Sequence, residues 1–138
     1  MPSLDNMMLR QIIMDHYENP RNRELVEDDS YKKVNMDSET CIDNIDIQAK
    51  IENGVIEDIR FDGEACAICT SSTSIMTELL IGKTIDEARV IIENYMNMIF
   101  EKDYDPEILE EAIAFYNTHK QANRIKCATL GWKGITQL

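Results

Sequence analysis

Basic residues are scarce in this chain: 14 lysines and arginines stand against 26 aspartates and glutamates, for a formal charge of −12 at pH 7. A nucleic-acid binder needs a cationic surface, so DNA and RNA are not expected partners. The same acidity would be repelled by anionic lipid. No apolar run approaches the ~20 residues needed to cross a bilayer. The start, Met1-Pro2-Ser3-Leu4-Asp5, has neither the basic region nor the uninterrupted apolar stretch of a secretory leader. A glycine-rich phosphate loop, a G-x-S-x-G elbow, internal repeats and low-complexity tracts are all missing. These absences point to a cytoplasmic protein, away from membranes, in a compartment where thiols stay reduced.

What is present is a chain of 138 residues, 43% hydrophobic, enough for one domain with a real core over residues 1–138. Four cysteines in a reducing compartment read as ligands or reactive thiols before disulfides. Cys41, Cys66 and Cys127 come from well-separated segments, and only a folded core can gather them. With Asp43, two residues after the first, they offer the thiolate and carboxylate donors of a tetrahedral zinc or iron site.

The periodicity predicts an α+β fold. Leu4 to Asn19 reads as a helix with Leu9, Ile12, Ile13 and His16 on one stripe, Ser3 as a cap and Pro20 as the stop. Residues 20–40 read as a long polar loop. Ile45, Ile47, Ala49 and Ile51 alternate with polar residues, as in a strand with one buried face. Asn53-Gly54 then turns the chain into a second strand with Val55, Ile59 and Phe61. A three-residue loop, Glu52-Asn53-Gly54, would pair 51 with 55, 47 with 59 and 45 with 61, matching apolar faces. It would also set Asp43 opposite Gly63 and Cys41 opposite Ala65. Helices follow over Thr70–Ile81, after the Thr84-Ile85-Asp86-Glu87 capping box, after Asp105-Pro106 and over 122–136. The whole is a small antiparallel sheet with helices on one face.

Each motif has a plain structural reading beside the chemical one. Cys41-Ile42-Asp43 places a thiolate and a carboxylate on one strand face, or is a buried cysteine beside a loop aspartate. Cys66-Ala67-Ile68-Cys69 can chelate zinc or form a redox couple near a helix N-terminus that favours thiolates; otherwise it is a serine-rich cap with buried thiols. Arg124 and Lys126 can stabilise a Cys127 thiolate, or solvate a helix end. His16 reads as a packed core residue, His119 as a solvated helix end, and the eight methionines as core filler. His16-Tyr17-Glu18 with Cys66-x-x-Cys69 imitates the zinc deaminase signature, but Ala65 stands where that signature has proline, and no parallel alternation of strands and helices follows.

Taken together, these residues resemble the SufU branch, the zinc-bearing part of the IscU/NifU-like family of iron–sulfur cluster assembly. Asp15-His16-Tyr17-Glu18-Asn19-Pro20-Arg21-Asn22 looks like the family's first-helix signature. Cys41-x-Asp43 and Gly63-x-x-Cys66 match its first two cysteine motifs, and Arg124-Ile125-Lys126-Cys127-Ala128-Thr129-Leu130-x-Trp132 is similar to the third. Sixty positions separate Cys66 from Cys127, Lys126 replaces the histidine of scaffold-type members, and no Leu-Pro-Pro-Val-Lys stretch is present; all three favour SufU. Ile42, Ala65 and Cys69 depart from the small residues usual there.

The resemblance implies a zinc ion held by Cys41, Asp43, Cys66 and Cys127, with Fe or a transient [2Fe–2S] cluster as the alternative. It implies a sulfurtransferase-type acceptor that takes persulfide sulfur from a pyridoxal-phosphate (PLP) cysteine desulfurase and passes it toward a downstream iron–sulfur scaffold. Cys41 is the expected acceptor, and Arg124 the residue expected to dock the desulfurase or orient the thiolate. The competing expectations are a [2Fe–2S] assembly scaffold on the same ligands and a structural zinc domain without chemistry.

Overall fold

A computed structural model describes residues 6–38, 42–118 and 122–138. Helix α1 spans Asn6–Glu18, strands β1, β2 and β3 span Lys32–Asp37, Asn44–Glu52 and Val55–Glu64, and helices α2 and α3 span Ala67–Leu80 and Ile85–Ile99. A 3₁₀ segment, Pro106–Phe115, precedes helix α4, Ala122–Ile135. The sheet is antiparallel in the order β1-β2-β3. Ser3 and Leu4, the expected cap and first residue of α1, lie outside the described residues.

The hairpin register differs from the three-residue expectation. Asn53 and Gly54 both adopt positive φ, 55° and 76°, the pair of left-handed residues that a two-residue type I′ turn requires. Glu52 therefore pairs with Val55 and Ile51 with Ile56. Continued unchanged, that register would set apolar residues against polar ones. A bulge opposite the Lys50–Ile51 step inserts Glu57 and restores the match, so Ala49 faces Ile59 and Ile47 faces Phe61. Gly63 consequently lies opposite Ile45 rather than Asp43. Its φ of +131° brings it so near β2 that a Cβ would come within 2.3 Å of the Asn44 carbonyl oxygen.

Residues 20–38, the described part of the expected 20–40 loop, are more ordered than the loop reading. Residues 32–37 add the edge strand β1, whose only apolar alternation is Val34 and Met36. The stretch before it is tied to the sheet: Phe61 N–H donates to the Asn22 carbonyl, and the buried Gln48 side chain exchanges two 2.8 Å hydrogen bonds with the Val26 backbone. Tyr31 donates to Asp58, which pushes the phenol up to about 12.

The core lies between the sheet and the helices. Ile45, Ile47, Ala49, Ile59 and Phe61 supply the sheet's buried face. Helix α2 is buried nearly all round, including Thr70, Ser71, Ser72, Thr73, Ser74 and Thr77. Small hydroxyl side chains let α4 come close: a Cβ on Gly131 would sit 2.5 Å from Thr73 Oγ1. Trp132 stacks on Tyr95 with centroids 3.8 Å apart and donates to Ser72 Oγ at 3.0 Å. Ser72 and Tyr95 both donate to the Ala128 carbonyl, at 2.6 and 2.7 Å. This network, satisfied within the core, joins α2, α3 and α4 beside Cys127. The Thr84 capping box forms as the spacing predicts. Asp105 caps the next element, but that element is a 3₁₀ segment broken at Glu110 (φ 45°, ψ −123°) rather than an α-helix.

Candidate metal and sulfur-transfer site

Three of the four expected ligands converge. Donor atoms of Asp43, Cys66 and Cys127 lie within 4.8 Å of one another. Asp43 comes from the entry to β2, Cys66 from the turn between β3 and α2, and Cys127 from the second turn of α4. Asp43 is fully buried and Cys127 nearly so, while Cys66 is half-buried, so one side of the group reaches the surface.

Backbone geometry fixes these side chains. Cys66, not one of the hydroxyl residues, is the N-cap of α2, with extended φ and ψ of −68° and 172°. Its sulfur accepts the Cys69 N–H at 3.4 Å, and its own N–H donates to Asp43 Oδ1 at 2.7 Å. Asp43 Oδ2 is 3.8 Å from Cys66 Sγ. The C-x-x-C pair thus straddles a helix start, with only its first member at the site's opening. Cys69 lies fully buried in the core. No disulfide joins Cys66, Cys69 or Cys127.

Two thiols and a carboxylate at this spacing form a donor set that suits a tetrahedral metal of borderline softness. A cation held there would add to the hydrogen bond from Cys66 N–H in compensating the buried carboxylate. Cys41, the expected fourth ligand and sulfur acceptor, lies outside the described residues, with Glu39 and Thr40. Its flanks are placed: Ser38 N–H donates to the Asp43 carbonyl at 2.8 Å, and Asp37 pairs with Asn44. Arg124 and Lys126 are exposed on the first turns of α4, on the Cys127 side of the fold.

A family model described as the NifU-like N-terminal domain matches residues 8–136. The chain belongs to this family. Among its relatives is the zinc-dependent sulfurtransferase SufU of Bacillus subtilis, 40% identical over 93% of this chain and 86% of that one. The iron–sulfur cluster assembly scaffold protein IscU of Streptococcus pyogenes is 31% identical over 96% of this chain and 82% of its own. A crystal structure from Fervidobacterium islandicum, of a protein named for a scaffold role in the SUF system, superposes with a TM-score of 0.83 at 30% identity, covering 91% of this chain and 92% of that one. The N-terminal NifU-like protein of Brucella abortus, at 22% identity and a TM-score of 0.79, shares the fold. The three-stranded sheet with packed helices is therefore the NifU-like fold.

Within this NifU-like frame, His16 lies in a different group from the cysteines. The buried ring contacts Ser74, Glu78 and Glu111, so it does not join Cys66 as the deaminase signature would require. Sequence reasoning left Glu78 and Glu111 unremarked. One signal was available: Ser74 and Glu78 are four residues apart on α2 and share a face. No helix among the described residues is long and apolar enough to cross a membrane.

Proposed function

We propose that this chain is a zinc-dependent sulfur acceptor of iron–sulfur cluster assembly, supplied with persulfide sulfur by a PLP-dependent cysteine desulfurase. The observation that carries the reading is the convergence of Asp43, Cys66 and Cys127 at a half-open site, in a chain 40% identical to a zinc-dependent SufU. Cys41 completes the set. Two peptide units separate it from Asp43, which limits its Cα to about 7 Å from that of Asp43, within reach of the group. Zinc held by Cys41, Asp43, Cys66 and Cys127 would keep the thiols deprotonated at neutral pH.

The chain's own residues then divide the work. The Cys41 thiolate attacks the outer sulfur of the partner's persulfide. A new S–S bond forms at Cys41 as the partner's S–S bond breaks, and the partner's cysteine leaves as a thiolate. No net oxidant or reductant is consumed. Asp43 sets the position of Cys66 through the 2.7 Å bond to its N–H. Arg124, exposed on α4, docks the desulfurase or orients the thiolate. Residues 1–138 act in this as one domain, and a downstream iron–sulfur scaffold receives the sulfur.

The test is desulfurase turnover at low reductant, measured with and without this protein. Wild type raises turnover by clearing the persulfide. Cys41→Ala abolishes the rise while the variant still binds the desulfurase, and mass spectrometry of wild type shows an adduct of about 32 Da on Cys41, one added sulfur. A Cys41→Ala variant that stimulates as well as wild type refutes the transfer reading and leaves a structural zinc domain. The second reading, a scaffold for a [2Fe–2S] cluster, draws on the similarity to IscU. Anaerobically purified protein decides between them: colourless protein with about one zinc per chain supports transfer, and a brown protein with charge-transfer bands supports the scaffold.

A further inference from the structure

We propose that His16, Glu78 and Glu111 form a second, thiol-free site for a divalent transition-metal ion, distinct from the cysteine site. The three side chains come from α1, α2 and the 3₁₀ segment, and their donor atoms lie within 4.8 Å of one another. His16 Nε2 is 3.3 Å from Glu111 Oε1 and 3.7 Å from Glu78 Oε1. The histidine is 0% exposed, whereas the carboxylates are 47% and 51% exposed, so a buried imidazole looks out between two half-solvated acids.

Hydrogen bonding at the other ring nitrogen prepares Nε2 for a cation. Nδ1 lies 2.8 Å from Ser74 Oγ, and the same oxygen accepts the Arg21 N–H at 2.8 Å. A hydroxyl oxygen has two acceptor positions, so it can receive the Nδ1 proton as well. That tautomer leaves Nε2 with its lone pair facing two carboxylates. A hydrogen-bond acceptor on the far nitrogen is the usual arrangement of a metal-binding histidine. A proton on Nε2 could serve one carboxylate only, whereas a divalent ion serves both.

Charge favours the ion. Asp15 and Glu78 both pair with the Arg21 guanidinium, while Glu111 faces His16. Arg21 makes its tighter bond to Asp15, at 2.6 Å, and lies 3.5 Å from Glu78 Oε1. Glu78 and Glu111 also line a cavity of about 150 Å³, with Ile75, Leu79 and Glu110. One imidazole and two carboxylates suit Mn²⁺, Fe²⁺ or Zn²⁺ with water in the remaining positions, and the absence of sulfur separates this site from the thiolate one.

Mn²⁺ is the probe, added to protein loaded with one equivalent of zinc, which the softer thiolate site takes first. The EPR signal of aqueous Mn²⁺ should fall as about one further ion binds per chain, and electron spin-echo spectra should show coupling to an imidazole nitrogen. Glu78→Gln with Glu111→Gln should weaken Mn²⁺ binding about tenfold or more, since even outer-shell changes cost that much, while zinc content and melting in the absence of Mn²⁺ stay as in wild type. Glu93→Gln, an exposed change on α3, should leave Mn²⁺ binding intact. His16→Gln should remove the nitrogen coupling. The proposal is overturned if zinc-loaded wild type takes up no Mn²⁺ at ~1 mM, a dissociation constant near the weak limit of specific sites. It is equally overturned if the double variant binds as well as wild type, or if bound Mn²⁺ shows no nitrogen coupling.

Discussion

Asp43 carries two duties that one substitution exposes together. Its carboxylate is grouped with Cys66 and Cys127, and it also accepts the Cys66 N–H that opens α2. Asp43→Ala should therefore lower zinc occupancy and desulfurase stimulation together, and leaving the Cys66 N–H without its acceptor should cost about 1–3 kcal/mol of stability; zinc analysis and thermal melting check both. Cys69 tests the ligand assignment from the other side. It is fully buried and turns its backbone N–H toward Cys66 Sγ, so Cys69→Ser should keep zinc and sulfur acceptance. Zinc lost from that variant alone would move the fourth ligand from Asp43 to Cys69. At this scale the grouping of Asp43, Cys66 and Cys127 was legible because the chain has only four thiols and Asp43 lies two residues after the first of them. That Cys66 itself caps α2 was not, because that depends on where the helix begins. Ile42, next to Cys41 and 68% exposed, is the apolar side chain at the site's edge. Ile42→Asp should weaken stimulation by the desulfurase mainly through its apparent KM, with zinc content unchanged.

Elements were legible where the local pattern was decisive. The Thr84 box, the Asp105 cap and the alternation of β2 each rest on neighbouring residues and formed as the spacing predicts. The hairpin register was misjudged because a bulge at Glu57 reconciles two constraints that parity alone sets at odds: the turn preference of Asn53-Gly54 and the match of apolar faces. Strand β1 was missed since Val34 and Met36 are its whole apolar alternation, and it exists by pairing with β2. The buried hydroxyls of α2 show what element packing demands. Thr73 Oγ1 is the one buried side-chain polar atom without a hydrogen-bond partner among the described residues, and α4 crosses it at Gly131. Thr73→Val, which replaces that hydroxyl with a methyl of similar size, should be neutral or raise stability by about 1 kcal/mol in denaturant titration. Gly131→Ala should destabilise, because its Cβ would meet Thr73 where neither helix can easily withdraw.

For the molecule as a whole, the cysteine site is a junction of three elements distant in sequence. The entry to β2, the first turn of α2 and the second turn of α4 meet there, and α3 does not take part. A bound ion would cross-link segments 84 positions apart in the chain, from Asp43 to Cys127, and its binding free energy would add to folding. The core is nonetheless large without it: Trp132 on Tyr95, the Ser72–Ala128 network and the sheet face need no metal. Stripping zinc with a chelator should therefore lower the melting temperature by roughly 10 °C, as a loss of a few kcal/mol does in a chain of this size, without unfolding the protein. Hydrogen exchange should localise the effect. Amides at Ser38, Cys66 and Cys69, whose acceptors are at the site, should exchange faster in the stripped protein. Those of Ala88 and Phe100, bonded within α3, should not change, because the capping box and the buried face of α3 hold that helix independently of the ion. Uniform loss of protection across α3 and the sheet would mean that the metal organises the whole fold rather than clamping one corner of it.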